Sequence, residues 1–250
     1  MPIESAAIRG RGHLWLLLPA AMLASLWLAW LSLARLDFLY PALYPLLDIQ
    51  AHIEEFGPQN RYKAGFENTT PAEHKRLFGA IVTAIHDSGR GLDSLIYHDP
   101  RGQPIDTLLR EPEIGHLRDV ARLIDAIAPL GWLAVAWILA HLGLLRWCRW
   151  PVPRLSRLVG VSLVATTTVV LVVLAIGAKR VFYWLHDLVF PPDHPWFFYY
   201  QESLMTTLMK APDLFGAIAA ALLLLGLTLY ACLLWLATRL PERGRTKASH

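Results

Sequence analysis

Hydrophobic residues in this chain gather into four long blocks separated by mixed segments. The blocks cover residues 14–34, 130–147, 158–178 and 215–237, and each is long enough to cross about 30 Å of hydrocarbon as a helix. The first has Pro19 near its start, the second carries His141, the third is uncharged and β-branched from Thr166 to Val170, and the fourth is followed by Arg239. Apart from Arg146 at the very end of the second, no charge sits inside a block, which argues against an ion pump or channel. His141 is the titratable imidazole at that depth, beside Cys232 and Tyr230, and reads as a neutral ring bonded to a neighbouring carbonyl.

The segments between the blocks have their own patterns. Residues 36–53 are apolar and aromatic but interrupted by Pro41 and Pro45. This predicts a broken amphipathic stretch at a membrane surface, with Tyr40 and Tyr44 at headgroup level. Residues 57–68 read as a loop. Thr70-Pro71-Ala72-Glu73 is a capping box with proline at the first helical position. The helix it opens carries Leu77, Phe78, Ile81, Val82 and Ile85 on one stripe, and Asp87-Ser88-Gly89 stops it. Residues 94–109, with Asp99-Pro100-Arg101-Gly102 at their middle, predict a hairpin or turn. A last helix starts near Glu111-Pro112 and can run into the second block. In the later segment, Lys179-Arg180 lead into Val181-Phe182-Tyr183-Trp184-Leu185-His186-Asp187, broken by Pro191-Pro192, and a second aromatic cluster spans Trp196 to Tyr200. If the third helix continues, His186 stands about 12 Å beyond Ala178, where a lipid ester would be found.

Composition agrees with a membrane. Of 250 residues, 55% are hydrophobic and 17% charged, against about 25% charged in soluble domains. Disorder and low-complexity structure are excluded, and two cysteines exclude a disulfide-stapled miniprotein. The net charge of +3 is less informative than its distribution. Arg9, Arg11, Arg146, Arg149, Arg154, Arg157, Arg239, Arg243, Arg245 and Lys247 face only Glu4 and Glu242, a balance of +8, whereas residues 35–129 and 179–214 carry −5. By the bias of basic residues toward the cytoplasm, segments 1–13, 148–157 and 238–250 are expected inside, and 35–129 and 179–214 outside. Arg9, Arg11 and Ser32-Leu33-Ala34 imitate a signal peptide, but the apolar run exceeds the roughly 7–15 residues of a signal core and reads as an uncleaved anchor. Cys148 and Cys232 are not expected to pair. The fold class is therefore an all-α integral membrane protein, a four-helix transmembrane bundle with a small, mainly helical external cap.

Seven of the ten histidines fall in the expected external segments: His52, His74, His86, His98, His116, His186 and His194. There is no His-Glu-x-x-His or His-x-His, so no metal site is expected. A Gly-x-Ser-x-Gly elbow is missing, no glycine loop could cradle phosphate, and nothing around Ser203 nominates a nucleophile. His116 differs, because helical spacing puts Asp119 on its face. The basic residues flank the blocks rather than forming a patch, so nucleic acid is not an expected partner.

The pattern Glu113-x-x-His116-x-x-Asp119-Val120, then Phe182-x-x-x-His186 and Phe190…Trp196-x-Phe198, resembles the Lit family of bacterial lipoprotein intramolecular transacylases, which have four membrane spans. The run Leu204…Lys210-Ala211-Pro212-Asp213-Leu214-Phe215 is similar to the family's entry into its last span. The resemblance implies that His116 and His186 are catalytic, with Asp119, Asp187 and Glu113 in support. It implies transfer of the sn-2 acyl chain of a diacylglyceryl-modified N-terminal cysteine to that cysteine's α-amine, at the periplasmic face of the bacterial inner membrane. The expected partners are diacylated bacterial lipoproteins or other membrane lipids, with no cofactor. Lys179, Arg180, Trp184 and Trp196 are candidate contacts for a lipid headgroup. Asp193-His194-Pro195-Trp196 and a long first loop depart from the family pattern, and because His194 lies in no motif, little is expected of it. The competing reading is a non-catalytic membrane module whose external cap binds a partner or ligand; a haem, quinone or metal protein would need a second ligand that the blocks lack.

Overall fold

The computed structural model describes residues 14–148 and 152–239. The basic residues Arg9, Arg11, Arg149, Arg243, Arg245 and Lys247, with the expected cytoplasmic N-terminus and most of the tail, lie outside the described residues. The described elements are α1 (Leu14–Ala34), α2 (Tyr40–Leu46), α3 (Ile49–Phe56), α4 (Pro71–Ile85), β1 (Ile96–His98), β2 (Pro104–Thr107), α5 (Glu111–Cys148), α6 (Leu155–Ile176), α7 (Ala178–Val189), α8 (Leu204–Met209) and α9 (Asp213–Arg239). Helices α1, α5, α6 and α9 are long and apolar enough to cross a membrane. The chain is an all-α membrane protein in which the strand content of the described residues is one small hairpin. It divides into two compact units.

The first unit comprises Met1–Leu31, Ala128–Val181 and Leu222–His250. Its core joins Leu17, Ala21 and Ala24 of α1, Ala134, Ile138, Leu142 and Leu145 of α5, Leu158 of α6, and Tyr230, Leu234 and Ala237 of α9. The spacing of three and four residues places each set on one helical stripe. Where α1 meets α5, Gly131 lets the helix approach the Trp27 ring so closely that a Cβ would fall 2.4 Å from two ring carbons. Ser162 Oγ donates to the Leu158 carbonyl (2.9 Å) and accepts from the Tyr230 hydroxyl (2.6 Å), a polar tie between α6 and α9 of the kind that joins helices without help from water. Most of α6 is exposed, and beyond Ser156, Arg157 and the threonines at 166–168 that surface is apolar, the composition of one that meets lipid. His141 is buried and stacks on Trp137. Cys148 and Cys232 are both free.

Helix α6 does not continue to His186. Gly177 adopts φ +97°, a conformation open to glycine and unfavourable for other residues, and α7 begins as a separate helix. The 12 Å rise expected for His186 assumed one unbroken axis and does not apply.

The second unit comprises Ser32–Ile127 and Phe182–Ala221. Left-handed backbone at Asp37, Phe38, Leu39 and Asp48 divides the broken stretch into α2 and α3. Tyr40 and Tyr44 are not headgroup anchors. Both are buried; Tyr40 stacks on Phe78 at 4.1 Å and donates its hydroxyl proton to the Leu208 carbonyl at 2.9 Å. The Tyr40 ring completes the apolar stripe of α4, and the Tyr44 hydroxyl lies 2.6 Å from His74 Nδ1 on the same helix, a stronger claim on an aromatic face than an interface offers. At the start of α4, Thr70 caps the Glu73 amide. The Glu73 carboxylate turns away from the cap to accept from the His98 amide and ring and from Arg76. It thereby ties the antiparallel hairpin of β1 and β2 to α4.

Candidate active site

The histidines that the motifs single out lie in the second unit. In the first turn of α5 lies Glu113, whose carboxylate is fully buried and accepts from the Arg110 amide at 2.8 Å and from the Ser203 hydroxyl at 2.5 Å. Burial raises its pKa above the ordinary carboxylate range, while the bonds from Ser203 and Arg110 work the other way. Ser203 in turn caps α8 by accepting from the Thr206 amide. Glu113 is thus a strut between the start of α5 and the start of α8. Ser203 is spent on the same strut, its hydroxyl committed to Glu113 and to the Thr206 amide.

One turn further on, and ahead of the apolar part of α5, lies His116. Its ring packs against Phe190 (4.9 Å between centroids) and Phe198 (6.2 Å). Its Nδ1 is buried and has no hydrogen-bond partner among the described residues. Burial, and then the nearby His186, lower its pKa from 6.5 to about 4, against the opposing pull of Asp119. Aromatic walls solvate a cation poorly, so this imidazole is neutral at physiological pH.

His186 sits on α7. Its Nδ1 lies 2.8 Å from the Phe182 carbonyl one turn back. A carbonyl oxygen can only accept, so Nδ1 carries a proton and Nε2 is the nitrogen left to face a substrate. The ring is walled by Phe182 (3.9 Å), Trp196 (4.5 Å) and Phe190 (5.4 Å). Because both imidazoles lie against Phe190, their centroids are at most about 10 Å apart.

The supporting carboxylates are arranged differently from the sequence reading. Asp119 binds neither His116 nor His186: one oxygen is paired with Arg122 and the other lies 2.5 Å from His194 Nδ1. Helical spacing brought Asp119 to the correct face, but its geometry favours a ring arriving from across the site over one on its own helix. Asp187 is exposed and makes no hydrogen bond or ion pair among the described residues. Trp196 is a wall of His186, whereas Trp184 is 60% exposed on α7. Lys179 and Arg180 are exposed at the first turn of α7. Among the described residues no three His, Cys, Asp or Glu side chains gather where they could hold a metal ion.

Sequence reasoning did not connect His194 with Asp119. The signal was the polar Asp193-His194-Pro195 insert in an aromatic run, which no spacing rule connects to a carboxylate 75 residues earlier.

No curated protein and no solved structure matches the chain. Residues 103–211, the stretch that holds His116, Asp119, His186 and His194, match the family model for the lipoprotein intramolecular transacylase Lit, the family that the sequence motifs resemble.

Proposed function

We propose that this chain is an intramolecular transacylase that moves the sn-2 acyl chain of a diacylglyceryl lipoprotein to the α-amine of its N-terminal cysteine, with His116 and His186 at the reacting atoms. The observation that carries the reading is the pair of imidazoles on Phe190, prepared for different tasks. His186 Nε2 takes a proton from the amine, whose pKa is near 8, as its nitrogen attacks the sn-2 ester carbonyl. His116, neutral, donates its N–H to the oxyanion that develops, as a neutral imidazole can in a site of low polarity. The carbon–oxygen bond then breaks, and the glyceryl oxygen recovers the proton from His186. An amide and a free hydroxyl replace an amine and an ester with no net change in protons, no acyl-enzyme and no cofactor. Donor and acceptor ride on one molecule, so proximity contributes much of the rate.

The setting proposed for this chemistry is the periplasmic face of a bacterial inner membrane. Both termini and residues 148–157 are cytoplasmic, residues 35–129 and 179–214 are external, and Lys179, Arg180 and Trp184 meet lipid headgroups. The charge partition of +8 against −5 supports that orientation.

Mass spectrometry of a lipoprotein's N-terminal peptide, from cells with and without this protein, tests the reaction. The N-acyl, lyso-glyceryl form should appear only with it. His116→Ala and His186→Ala should each abolish that form at unchanged protein level in the membrane. An active variant of either would overturn the mechanism in favour of a non-catalytic module.

A further inference from the structure

We infer that His194, held by Asp119, is a positioning residue that fixes the aromatic wall of the site; its effect on turnover rests on the transacylase reading above. The wall is residues 191–198, the first part of the segment between α7 and α8. It contains Pro191, Pro192 and Pro195, three positions with no amide proton to give. Its own backbone makes one turn there, from the His194 amide to the Pro191 carbonyl at 3.0 Å. Among the described residues, the bond that carries residues 191–198 to another element is the one from His194 Nδ1–H to Asp119, at 2.5 Å.

Its position gives that bond its consequence. Two residues after His194, Trp196 lies against His186 at 4.5 Å. Four residues after it, Phe198 lies against His116 at 6.2 Å and is buried. Asp119 is three residues beyond His116 on the same helix, so the anchor and one imidazole share a rigid element and a face. The Asp119 side chain is 5% exposed and its other oxygen is occupied by Arg122. A carboxylate so enclosed needs its partners, and a charge-assisted bond from a ring nitrogen is a strong one. His194 therefore registers the rings around both imidazoles against α5. Without it, residues 191–198 are held to the site by ring contacts and by the chain on either side, which is next bonded to a remote part of the chain at Gln201.

Hydrogen exchange and turnover, measured on the full chain in detergent micelles, test this together. In His194→Ala, the amides of residues 193–199 should exchange about tenfold faster. Formation of N-acyl product should fall at least about tenfold, in kcat more than in KM, given that a 1 Å misplacement can lose about 100-fold. His194→Asn keeps an N–H donor near the Nδ1 position but cannot carry a proton, and it should restore both protection and turnover. Unchanged exchange in His194→Ala would overturn the anchor. Faster exchange with wild-type turnover would overturn positioning. A protected but inactive His194→Asn would make His194 a proton carrier and overturn it as well. An inactive wild type would defeat the proposed reaction, while the exchange result still decides the anchor.

Discussion

His116 should remain an uncharged imidazole from about pH 8 down to about pH 5, and acidification below that range should destabilise the second unit. The perturbation is protonation of a ring packed between Phe190 and Phe198. In the unfolded chain it titrates near 6.5, whereas in the folded protein burial and His186 bring its pKa to about 4. At about 1.4 kcal/mol per pH unit, that gap is worth about 3 kcal/mol. The folded pKa is depressed, so between pH 6.5 and about 4 the unfolded state binds more protons and stability falls with pH. The contribution is complete above pH 6.5 and gone below about pH 4. His74, buried between Tyr44 and Thr69 and also lowered to about 4, adds a second contribution of the same sign. The assay is a ring-nitrogen NMR titration of 15N-histidine-labelled protein in micelles, with His116→Gln to assign the signal and thermal unfolding measured alongside. His116 should keep neutral-ring shifts at pH 5, and the loss of thermal stability between pH 6.5 and 4.5 should be smaller in His116→Gln. A midpoint near 6.5 for His116 would refute the argument, because the ring would then be solvated and unsuited to act as a neutral N–H donor.

Other outcomes follow from single contacts. Glu113→Ala strips the partner from the buried Ser203 hydroxyl and the Arg110 amide and should lower stability by about 2–4 kcal/mol. Glu113→Gln, which keeps an acceptor, should lose less, and denaturation in micelles measures both. Gly131→Val drives side-chain carbon into the Trp27 ring; overpacking of that kind should lower stability by about 1–3 kcal/mol, read as a lower Tm. Asn60→Cys should be labelled by an impermeant thiol reagent from outside intact cells, and protection there would overturn the proposed topology.

Some of this molecule was legible in its sequence because the responsible physics is local. Four apolar blocks had to become helices, since a backbone in hydrocarbon must satisfy its own hydrogen bonds. Thr70 at a helix start, the turn at Asp99–Gly102 and the beginning of α5 at Glu111 depend on neighbours a few residues away. His116 and His186 could be nominated because short motifs carry them. Whether either is catalytic is a question of chemistry that spacing does not answer. Tertiary structure decided the remainder. Tyr40 and Tyr44 suited an interface as well as a core, and only the presence of Phe78 and Leu208 beside Tyr40, and of His74 beside Tyr44, selected the core. Gly177 could have passed as a helical residue, yet its freedom to take positive φ is used to end α6 and start α7. Asp119 had a histidine three residues away on its own helix and bonds instead to one 75 residues later. A carboxylate's partner depends on which donor reaches it at hydrogen-bonding distance, and that distance is set by packing between segments that are remote in sequence.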